Sequence, residues 1–182
     1  MKKQAVVMDA ETMRRSIARI THEILEKNKG SGGLIVAGIK TRGAVLGKRI
    51  ADKLSEMEGV SVPFFALDTA AFRDDRTKDR PCVLTLPMCV QEQHVILADD
   101  VINTGRTARA AMDAVISAGR PKMISLAALI DRGYRELPIR PDFVGKNIPT
   151  AASQVVNVHF METDGKDLVT IADKNERLGE FL

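Results

Sequence analysis

Two adjacent acids, Asp99 and Asp100, stand at the end of an apolar run and are well placed in the sequence to do chemistry. Residues 95–98 (VILA) precede them, and a small polar loop, residues 103–107 (NTGRT), follows two residues later. The alanine-rich stretch after this loop has good helix propensity. A strand that ends in acids and turns through Thr-Gly into a helix presents backbone N–H groups and hydroxyls to an anion. Because the carboxylates can accept hydrogen bonds from sugar hydroxyls, the pattern predicts a site for a ribose that carries a 5′-phosphate.

A second loop, residues 38–43 (GIKTRG), also follows an apolar run and could hold an anion. It has a glycine at each end and presents Lys40, Arg42 and several N–H groups. The overlapping stretch 43–49 resembles a Walker loop only superficially, because three residues rather than four separate its glycines. Arg49 also stands where a Ser or Thr must contact magnesium, so an ATPase is excluded. A surface turn with solvated charges is the alternative interpretation of the loop.

Strands that alternate with helices are expected to position both loops. Asp9 is expected to cap a helix with an apolar stripe that runs to about Lys29. Further helices are predicted at 44–57 and 108–117, strands at 34–37, 62–69, 84–90, 95–98, 124–130, 155–160 and 168–171, a polar loop at 72–81, and an irregular stretch at 131–150. This alternation predicts a parallel α/β sheet with right-handed crossovers, and a ligand at the carboxyl ends of its strands.

Composition limits the class of protein. The 182 residues fit one domain, and 45% hydrophobic with 28% charged residues is ordinary for a globular chain. No apolar stretch approaches ~20 residues, and the N-terminus lacks the apolar segment of a signal peptide, so a cytoplasmic protein is expected. Cys82 and Cys89 have no nearby partner for a zinc site and are expected to be free thiols. The net charge of +3 permits phosphate or nucleic-acid binding without demonstrating it.

The order apolar strand, double acid, TGRT and helix resembles the phosphoribosyl-pyrophosphate (PRPP) motif of type I phosphoribosyltransferases. The resemblance implies that Asp99 and Asp100 hold the ribose hydroxyls, and that Arg73 lies on a flexible loop that closes over the reacting centre and excludes water. It places the remaining PRPP and pyrophosphate contacts on Lys40, Thr41, Arg42, Val101, Asn103, Thr104, Gly105, Arg106 and Thr107. A buried strand with an acidic end, a capped helix and a solvated charge run are the alternatives.

Residues 131–150 (DRGYRELPIRPDFVGKNIPT) are strongly similar to the PyrR family, bacterial pyrimidine-operon attenuation regulators that also have uracil phosphoribosyltransferase activity. The similarity continues in order through most of the chain, to about Ile171. It implies the α/β type I phosphoribosyltransferase fold, with a central, mostly parallel sheet flanked by helices. One domain over 1–182 is expected, with a small hood from about 131–160 that binds uracil. By resemblance, Arg132 and Val156 contact the nucleotide, and backbone groups around Leu137 and Ile139 read the base.

The resemblance also implies two activities. One converts uracil and PRPP to UMP and pyrophosphate, with Mg²⁺ bound together with PRPP and with no metal site of the protein itself. The other binds the leader mRNA of the pyrimidine operon in response to UMP and UTP, on a basic concave surface formed when the protein dimerises. The positions corresponding to that surface are Arg15, Arg19, His22, Arg140 and Lys146. A homodimer or homotetramer with no membrane partner is expected.

Two departures from the family pattern bear on these activities. Asn103 replaces the tyrosine that relatives carry before TGRT, and because an amide cannot accept the proton, no general base is assigned to it. Residues 151–154 read AASQ where many relatives have Ser, a basic residue, Ser and Glu. The alternative function is therefore a uracil phosphoribosyltransferase with lost or weakened RNA-binding attenuation. Specificity for orotate or a purine is disfavoured by residues 135–140 (RELPIR).

Overall fold

The computed structural model describes residues 5–74 and 86–173 of the chain. Its elements in chain order are β1 (Ala5–Met8), α1 (Ala10–Asn28), β2 (Leu34–Ile39), α2 (Arg42–Glu58), β3 (Phe64–Leu67), a 3-10 helix (Ala70–Phe72), β4 (His94–Ile102), α3 (Arg106–Ala118), β5 (Met123–Asp131), β6 (Phe143–Asn147), β7 (Gln154–His159), α4 (Met161–Asp164) and β8 (Leu168–Asp173).

A five-stranded parallel sheet in the order β3-β2-β4-β5-β6 forms the centre of the molecule. Strand β2 is buried along its whole length, as are the first five residues of β4. Continuous apolar runs suit such strands because helices cover both faces of a parallel sheet. Helices α1 and α2 cover one face, and α3 covers the other. The predicted α/β class and parallel sheet are confirmed.

The helix boundaries follow local chemistry. The Thr12 N–H donates to Asp9 Oδ1 at 2.8 Å, so the predicted cap of α1 is confirmed. Helix α2 ends at Gly59, which adopts the left-handed conformation with φ 67° that favours glycine. Helices α2 and α3 each begin two residues before the predicted start, at Arg42 and Arg106. Each functional loop therefore leads directly into the first turn of a helix.

A second, antiparallel sheet in the order β1-β8-β7 draws its strands from both ends of the described chain. It packs on the side of the main sheet that carries α1 and α2, where Val156, Val158 and Phe160 are buried. Strand β7 of this small sheet lies in the range of about 131–160 predicted for the hood, whereas β1 and β8 lie outside that range and β6 pairs with β5 in the main sheet.

Three predictions of strands need correction. Strand β6 lies within residues 131–150, which the content of Pro, Gly and Arg predicts to be irregular. Residues 86–90 of the predicted strand 84–90 have no regular structure. The strand expected at 62–69 is limited to Phe64–Leu67. Cys82 and the later part of the predicted loop 72–81 lie outside the described residues. Within the described parts, no helix is long and apolar enough to cross a bilayer.

His94 at the start of β4 gives the fold a pH dependence. Its side chain is buried, with Nδ1 2.9 Å from Asn28 Oδ1 and Nε2 3.0 Å from Ser125 Oγ. Burial, reinforced by the nearby charge of Lys27, lowers the pKa of His94 from its usual 6.5. As the pH falls through 6.5, this histidine therefore takes up a proton more readily in the unfolded chain than in the folded protein.

We therefore expect the free energy of unfolding to decrease as the pH falls through about 6.5, and the His94→Gln variant to lose part of this dependence. Urea unfolding between pH 5 and 8 measures the effect. His22→Gln, on the exposed surface of α1, should retain the wild-type slope. Identical slopes for wild type and His94→Gln would rule out His94 as the cause.

Candidate active site

The acid pair lies at the carboxyl end of β4, in the middle of the main sheet. Asp99 pairs in register with Ala128 of β5, and both acids are half-buried. The Asp100 N–H donates to Asp99 Oδ1 at 3.1 Å. Burial and then the neighbouring negative charge of Asp100 raise the pKa of Asp99 well above its usual range. Burial also raises the pKa of Asp100. The pair therefore favours ligands that donate hydrogen bonds or bring positive charge.

Close backbone contacts made by two glycines of α2 bring the second loop to this acid pair. A Cβ on Gly43 would lie 2.6 Å from the carbonyl oxygen of Ala98 and 3.0 Å from the Cα of Asp99. On the next turn of α2, a Cβ on Gly47 would lie 2.9 Å from the Cα of Gly38. The first turns of α2 therefore rest directly on β2 and β4, and the loop before α2 lies beside Asp99.

Residues 40–42 of this loop carry the predicted pyrophosphate contacts. The Lys40–Thr41 peptide bond is cis, and Lys40 Nζ lies 3.8 Å from Asp68 Oδ2 at the end of β3. Arg42 Nη2 donates to Asp164 Oδ1 of α4 at 2.8 Å. Its buried Nε has no hydrogen-bond partner within the described chain. Lys40 and Arg42 thus place positive charge at the carboxyl edge of β2, as the sequence predicts.

The predicted phosphate loop, residues 103–107, turns from β4 into α3 through Gly105, whose φ is 91°. Because its cap residue is a glycine, α3 has no side-chain cap from that residue, and the Arg106 N–H donates instead to Thr104 Oγ1 at 3.4 Å. The first hydrogen bond of the helix joins the Arg109 N–H to the carbonyl oxygen of Gly105 at 2.9 Å. An open helix N-terminus preceded by threonine hydroxyls is a suitable anion site.

Arg106 already holds two carboxylates. Its Nη1 donates to Asp74 Oδ2 and its Nε donates to Glu136 Oε2, each at 2.6 Å. A phosphate at this loop must therefore compete with both acids for the guanidinium. Arg73 precedes Asp74 directly after the 3-10 helix, and Arg109 Nη2 anchors that helix by donating to the Phe72 carbonyl oxygen at 2.9 Å. This anchor places Arg73 and Asp74 on the side of the sheet that carries α3.

The segment 136–139 lies on the phosphate loop. The N–H groups of Glu136 and Leu137 donate to the Thr104 carbonyl oxygen at 3.0 and 3.1 Å. The Ile139 N–H donates to the Leu137 carbonyl oxygen at 2.8 Å. Because the N–H groups of Leu137 and Ile139 are used within the protein, direct readout of a base by this pair is limited to their carbonyl oxygens.

Arg135 is a residue at this site that the sequence reasoning missed. It contacts the carboxylate of Asp131 and the carbonyl oxygens of Asn103, Tyr134 and Ile139. The sequence offered one signal for it, namely its position two residues before Leu137 in the family motif. Periodicity and spacing gave no reason to prefer it over Arg132 or Arg140.

Two of the predicted nucleotide contacts, Arg132 and Val156, also have partners within the protein. Arg132 Nε donates to Thr150 Oγ1 at 2.7 Å, and its Nη2 donates to the Gln154 carbonyl oxygen at 2.8 Å. Burial lowers the pKa of Arg132. Val156 on β7 is only 9% exposed and packs in the core with α1 and α2. Arg132 therefore holds residues 150–154, which lead into β7. The Val156 side chain faces the protein core.

Four of the predicted RNA-binding residues lie on or beside α1. Arg15, Arg19 and His22 follow one exposed stripe of this helix. Arg19 Nη2 donates to the carbonyl oxygens of Val144 and Gly145 on β6, which brings Lys146 next to the stripe. We call Arg15, Arg19, His22 and Lys146 the α1 patch. Arg140 is separate, since it borders a cleft of about 280 Å³ under α3, on the other face of the main sheet.

A family model described as "Phosphoribosyl transferase domain" matches residues 6–162. The chain is 53% identical to "Bifunctional protein PyrR" of Leuconostoc mesenteroides, over 91% of this chain and 96% of that protein. It is 50% identical to the protein of the same name from Streptococcus thermophilus, over 96% of this chain and all (100%) of that protein. These relatives match the chain through both loops of the site.

Solved structures support the fold. The hypoxanthine phosphoribosyltransferase of Trypanosoma cruzi superposes with a TM-score of 0.76 at 18% identity, covering 98% of this chain and 95% of that one. The enzyme of the same name from Staphylococcus aureus gives a TM-score of 0.73 at 17% identity, covering 97% and 95%. At such identities the likeness concerns the arrangement of strands and helices, and the type I phosphoribosyltransferase fold predicted from the sequence is confirmed.

The contact between Gly43 and β4 can be tested directly. We expect Gly43→Ala to destabilise the protein by about 1–3 kcal/mol, because its Cβ would overlap backbone atoms that cannot move independently. The substitution should also weaken PRPP binding by displacing residues 40–42 from Asp99. Urea unfolding and titration calorimetry measure the two effects.

Gly32→Ala is the matched control, since no atom lies within 4 Å of a Cβ at that position. It should leave stability and PRPP affinity near wild type. Wild-type stability in Gly43→Ala would show that α2 can withdraw from β4 without cost.

Proposed function

Because the chain belongs to the family of bifunctional PyrR proteins, we propose that the acid pair on β4 and the loops at residues 40–42 and 103–107 form one PRPP site that serves both activities of the family. The protein is a pyrimidine operon regulator that also has uracil phosphoribosyltransferase activity. The proposal concerns which residues bind each part of the substrates and how the reaction proceeds.

The observation that carries the proposal is the meeting of three features at one edge of the sheet. Two carboxylates with raised pKa values lie on β4, cationic residues lie at the end of β2, and the N-terminus of α3, which begins after Gly105, follows β4. Their chemistry matches the ribose hydroxyls, the pyrophosphate and the 5′-phosphate of PRPP. The carboxyl edge of a parallel sheet is also where ligands bind in such folds.

In the proposed reaction, Asp99 and Asp100 accept hydrogen bonds from the ribose 2′- and 3′-hydroxyls and orient the sugar. Residues 104–107 hold the 5′-phosphate, with Val101 and Asn103 bordering the ribose. Thr41 and Arg42, with Lys40 nearby, hold the pyrophosphate. The bond from the anomeric carbon to pyrophosphate breaks, a bond from uracil N1 to that carbon forms, and the N1 proton passes to water. Because Asn103 cannot accept this proton, the catalytic contribution assigned to the protein is positioning.

Magnesium fits this arrangement as part of the substrate. Phosphoribosyltransferases generally use Mg²⁺ with PRPP, and the ion would screen the pyrophosphate charge. In residues 5–74 and 86–173, no group of three or more His, Cys, Asp or Glu side chains could hold a metal ion. The acid pair alone is a weak resident site, since Mg²⁺ commonly retains water and binds through substrate phosphates. We therefore propose that the ion arrives with PRPP.

Arg73 and the segment 137–139 complete the proposed site. Arg73, next to Asp74, is placed to contact phosphate once Arg106 exchanges Asp74 and Glu136 for the 5′-phosphate. Carbonyl oxygens near Leu137 and Ile139 can accept a hydrogen bond from the N3–H of uracil. Arg132 supports the nucleotide side of the site indirectly, by holding residues 150–154.

Substitution of the acids tests the PRPP site. We expect Asp99→Asn and Asp100→Asn each to lower kcat/KM for UMP formation by about 10- to 100-fold, since each charge-assisted hydrogen bond contributes about 1.5–3 kcal/mol. Stability should be retained or increased at pH 7, because a carboxylate whose pKa is raised by folding destabilises the protein above its unfolded pKa. Initial rates with uracil and PRPP, and thermal unfolding, measure both effects. Wild-type turnover in the double variant would refute the assignment.

We propose that the α1 patch contributes to the surface that binds the leader RNA. Phosphate contacts from Lys and Arg supply affinity, whereas contacts to unpaired bases supply selectivity. Arg15 and Arg19 are balanced in part by Glu11 and Glu23, at 3.8 and 2.7 Å. Dimerisation would place two such patches on one surface. Arg140 lies apart from the patch within one chain and is proposed as a separate contact to RNA.

The alternative, an enzyme with weakened RNA binding, is favoured by the segment 151–154. Ala151, Ala152 and Ser153 are exposed, and no side chain in this segment is cationic. We expect Ala152→Arg to tighten binding to a pyrimidine-leader hairpin and to steepen the plot of log affinity against log salt by about one unit. UMP synthesis should remain nearly unchanged. Gel shifts at several salt concentrations make the measurement.

Ser117→Arg adds the same charge at the exposed far end of α3 and serves as the control. It should leave the salt slope unaltered. If Ala152→Arg behaves like this control, the segment does not face RNA. Nanomolar binding of the hairpin by the unsubstituted protein would contradict the hypothesis of weakened RNA binding.

A further inference from the structure

We propose that Arg135 is the positioning residue for the uracil-binding segment 137–139, and that it joins this segment to the phosphate loop as one rigid unit. The inference rests on the proposed function and adds to it a residue that sets affinity for the base. Arg135 touches neither substrate in the proposal. It acts through the backbone groups that it holds.

Every N–H donor of the Arg135 guanidinium is used. Nε donates to the Ile139 carbonyl oxygen at 2.7 Å, and Nη1 donates to the carbonyl oxygens of Asn103 and Tyr134 at 2.8 and 3.2 Å. Nη2 contacts both carboxylate oxygens of Asp131 at 2.7 Å. A guanidinium offers five donors in a rigid planar fork, so this environment specifies its orientation as well as its charge.

The base of this arrangement is firmly held. Asp131 ends β5 and pairs in register with Ile102 and Asn147 on the neighbouring strands. Its carboxylate also accepts the Gly133 N–H at 2.8 Å. The side chains of Arg135 and Asp131 are only 16% and 13% exposed, so water screens their attraction weakly. The main sheet thereby determines where the guanidinium lies.

From that position Arg135 controls two loops at once. Arg135 donates to the carbonyl oxygen of Asn103, the residue before Thr104. The carbonyl oxygen of Thr104 in turn accepts hydrogen bonds from the N–H groups of Glu136 and Leu137. A Cβ on Gly105 would lie 3.4 Å from the Cβ of Ile139 and 3.5 Å from that of Leu137, so the gap between the two loops is about one methyl group wide. If segment 137–139 shifted, its position relative to a ribose held by the phosphate loop would change.

The bond to Ile139 is the one that matters for the base. Because the peptide unit is planar, holding the Ile139 carbonyl oxygen also orients the whole peptide group between residues 139 and 140. Carbonyl acceptors must lie within hydrogen-bond distance of the base, and a displacement of about 1 Å can reduce the rate by about 100-fold. Loss of Arg135 should therefore impair the use of uracil more than the use of PRPP.

The test compares Arg135→Gln and Arg135→Lys with wild type in UMP synthesis, varying uracil and PRPP separately. We expect the KM for uracil to rise by about tenfold or more in both variants, with a smaller change in the KM for PRPP. Lysine keeps the charge beside Asp131, but its three donors are too few for the three carbonyl oxygens and the two carboxylate oxygens that Arg135 bonds. Its thermal stability should therefore exceed that of the glutamine variant while its KM for uracil stays high.

Arg49→Gln is the matched control. Arg49 is similarly shielded at 22% exposed, and it also binds carboxylates, those of Glu162 and Asp167 on and after α4. Its loss should lower stability without changing the KM for uracil. If the glutamine variant of Arg135 does not fold, the lysine variant decides the question alone.

The outcomes separate the inference from the function on which it rests. A wild-type KM for uracil in Arg135→Lys would show that charge beside Asp131 suffices, and it would overturn the positioning role. Equal increases in the KM for uracil and for PRPP would overturn it as well. Absence of UMP synthesis by the wild-type protein would instead overturn the proposed enzymatic site, and this inference with it.

Discussion

The close contact of α2 with β2 and β4 is the constraint on which the rest of the site depends. Glycines at positions 38, 43 and 47 allow backbone to touch backbone where any Cβ would collide. This contact brings the cationic loop 40–42 to the edge of the sheet where β4 presents its acids. The contact therefore sets the distance between the cationic loop and the acid pair.

The site also carries an electrostatic cost. Two half-buried carboxylates next to each other on β4 have raised pKa values, which means that the ligand-free fold disfavours their charge. A structure selected for stability alone would replace at least one of them. Residues placed at the expense of stability are typical of functional sites, because ligand binding then supplies the missing hydrogen bonds or charge.

Arginines link the peripheral elements to this centre. Arg42 reaches Asp164 on α4, Arg49 reaches Glu162 and Asp167, and Arg135 joins β5 to the loops at residues 103 and 139. Each of these side chains spans elements that are distant in sequence. A planar donor with several N–H groups suits that task, since it satisfies carbonyl oxygens and carboxylates together. The small sheet and the segment 136–139 are consequently held in register with the central sheet.

The local sequence determined much of the fold. The apolar runs of β2 and β4, the Asp9 cap and the alternation of strands with helices predicted a parallel α/β sheet, and the motif at 99–107 predicted where its ligand loops lie. These features could be read because strand burial, helix capping and loop chemistry depend on residues close together in the chain.

The tertiary structure decided the rest. The sequence of β6 is too short and polar to predict a strand. It forms one because the edge of β5 is free to pair with it. Strand β1 forms because β8, far along the chain, pairs with it. The linear motif predicts Val156 and Arg132 as ligand contacts, and only the structure shows that the Val156 side chain is buried and that Arg132 bonds Thr150. The family motif contains Arg135 but does not reveal its role, because its contacts with Asn103 and Asp131 exist only after β4, β5 and the loop beyond them have packed together.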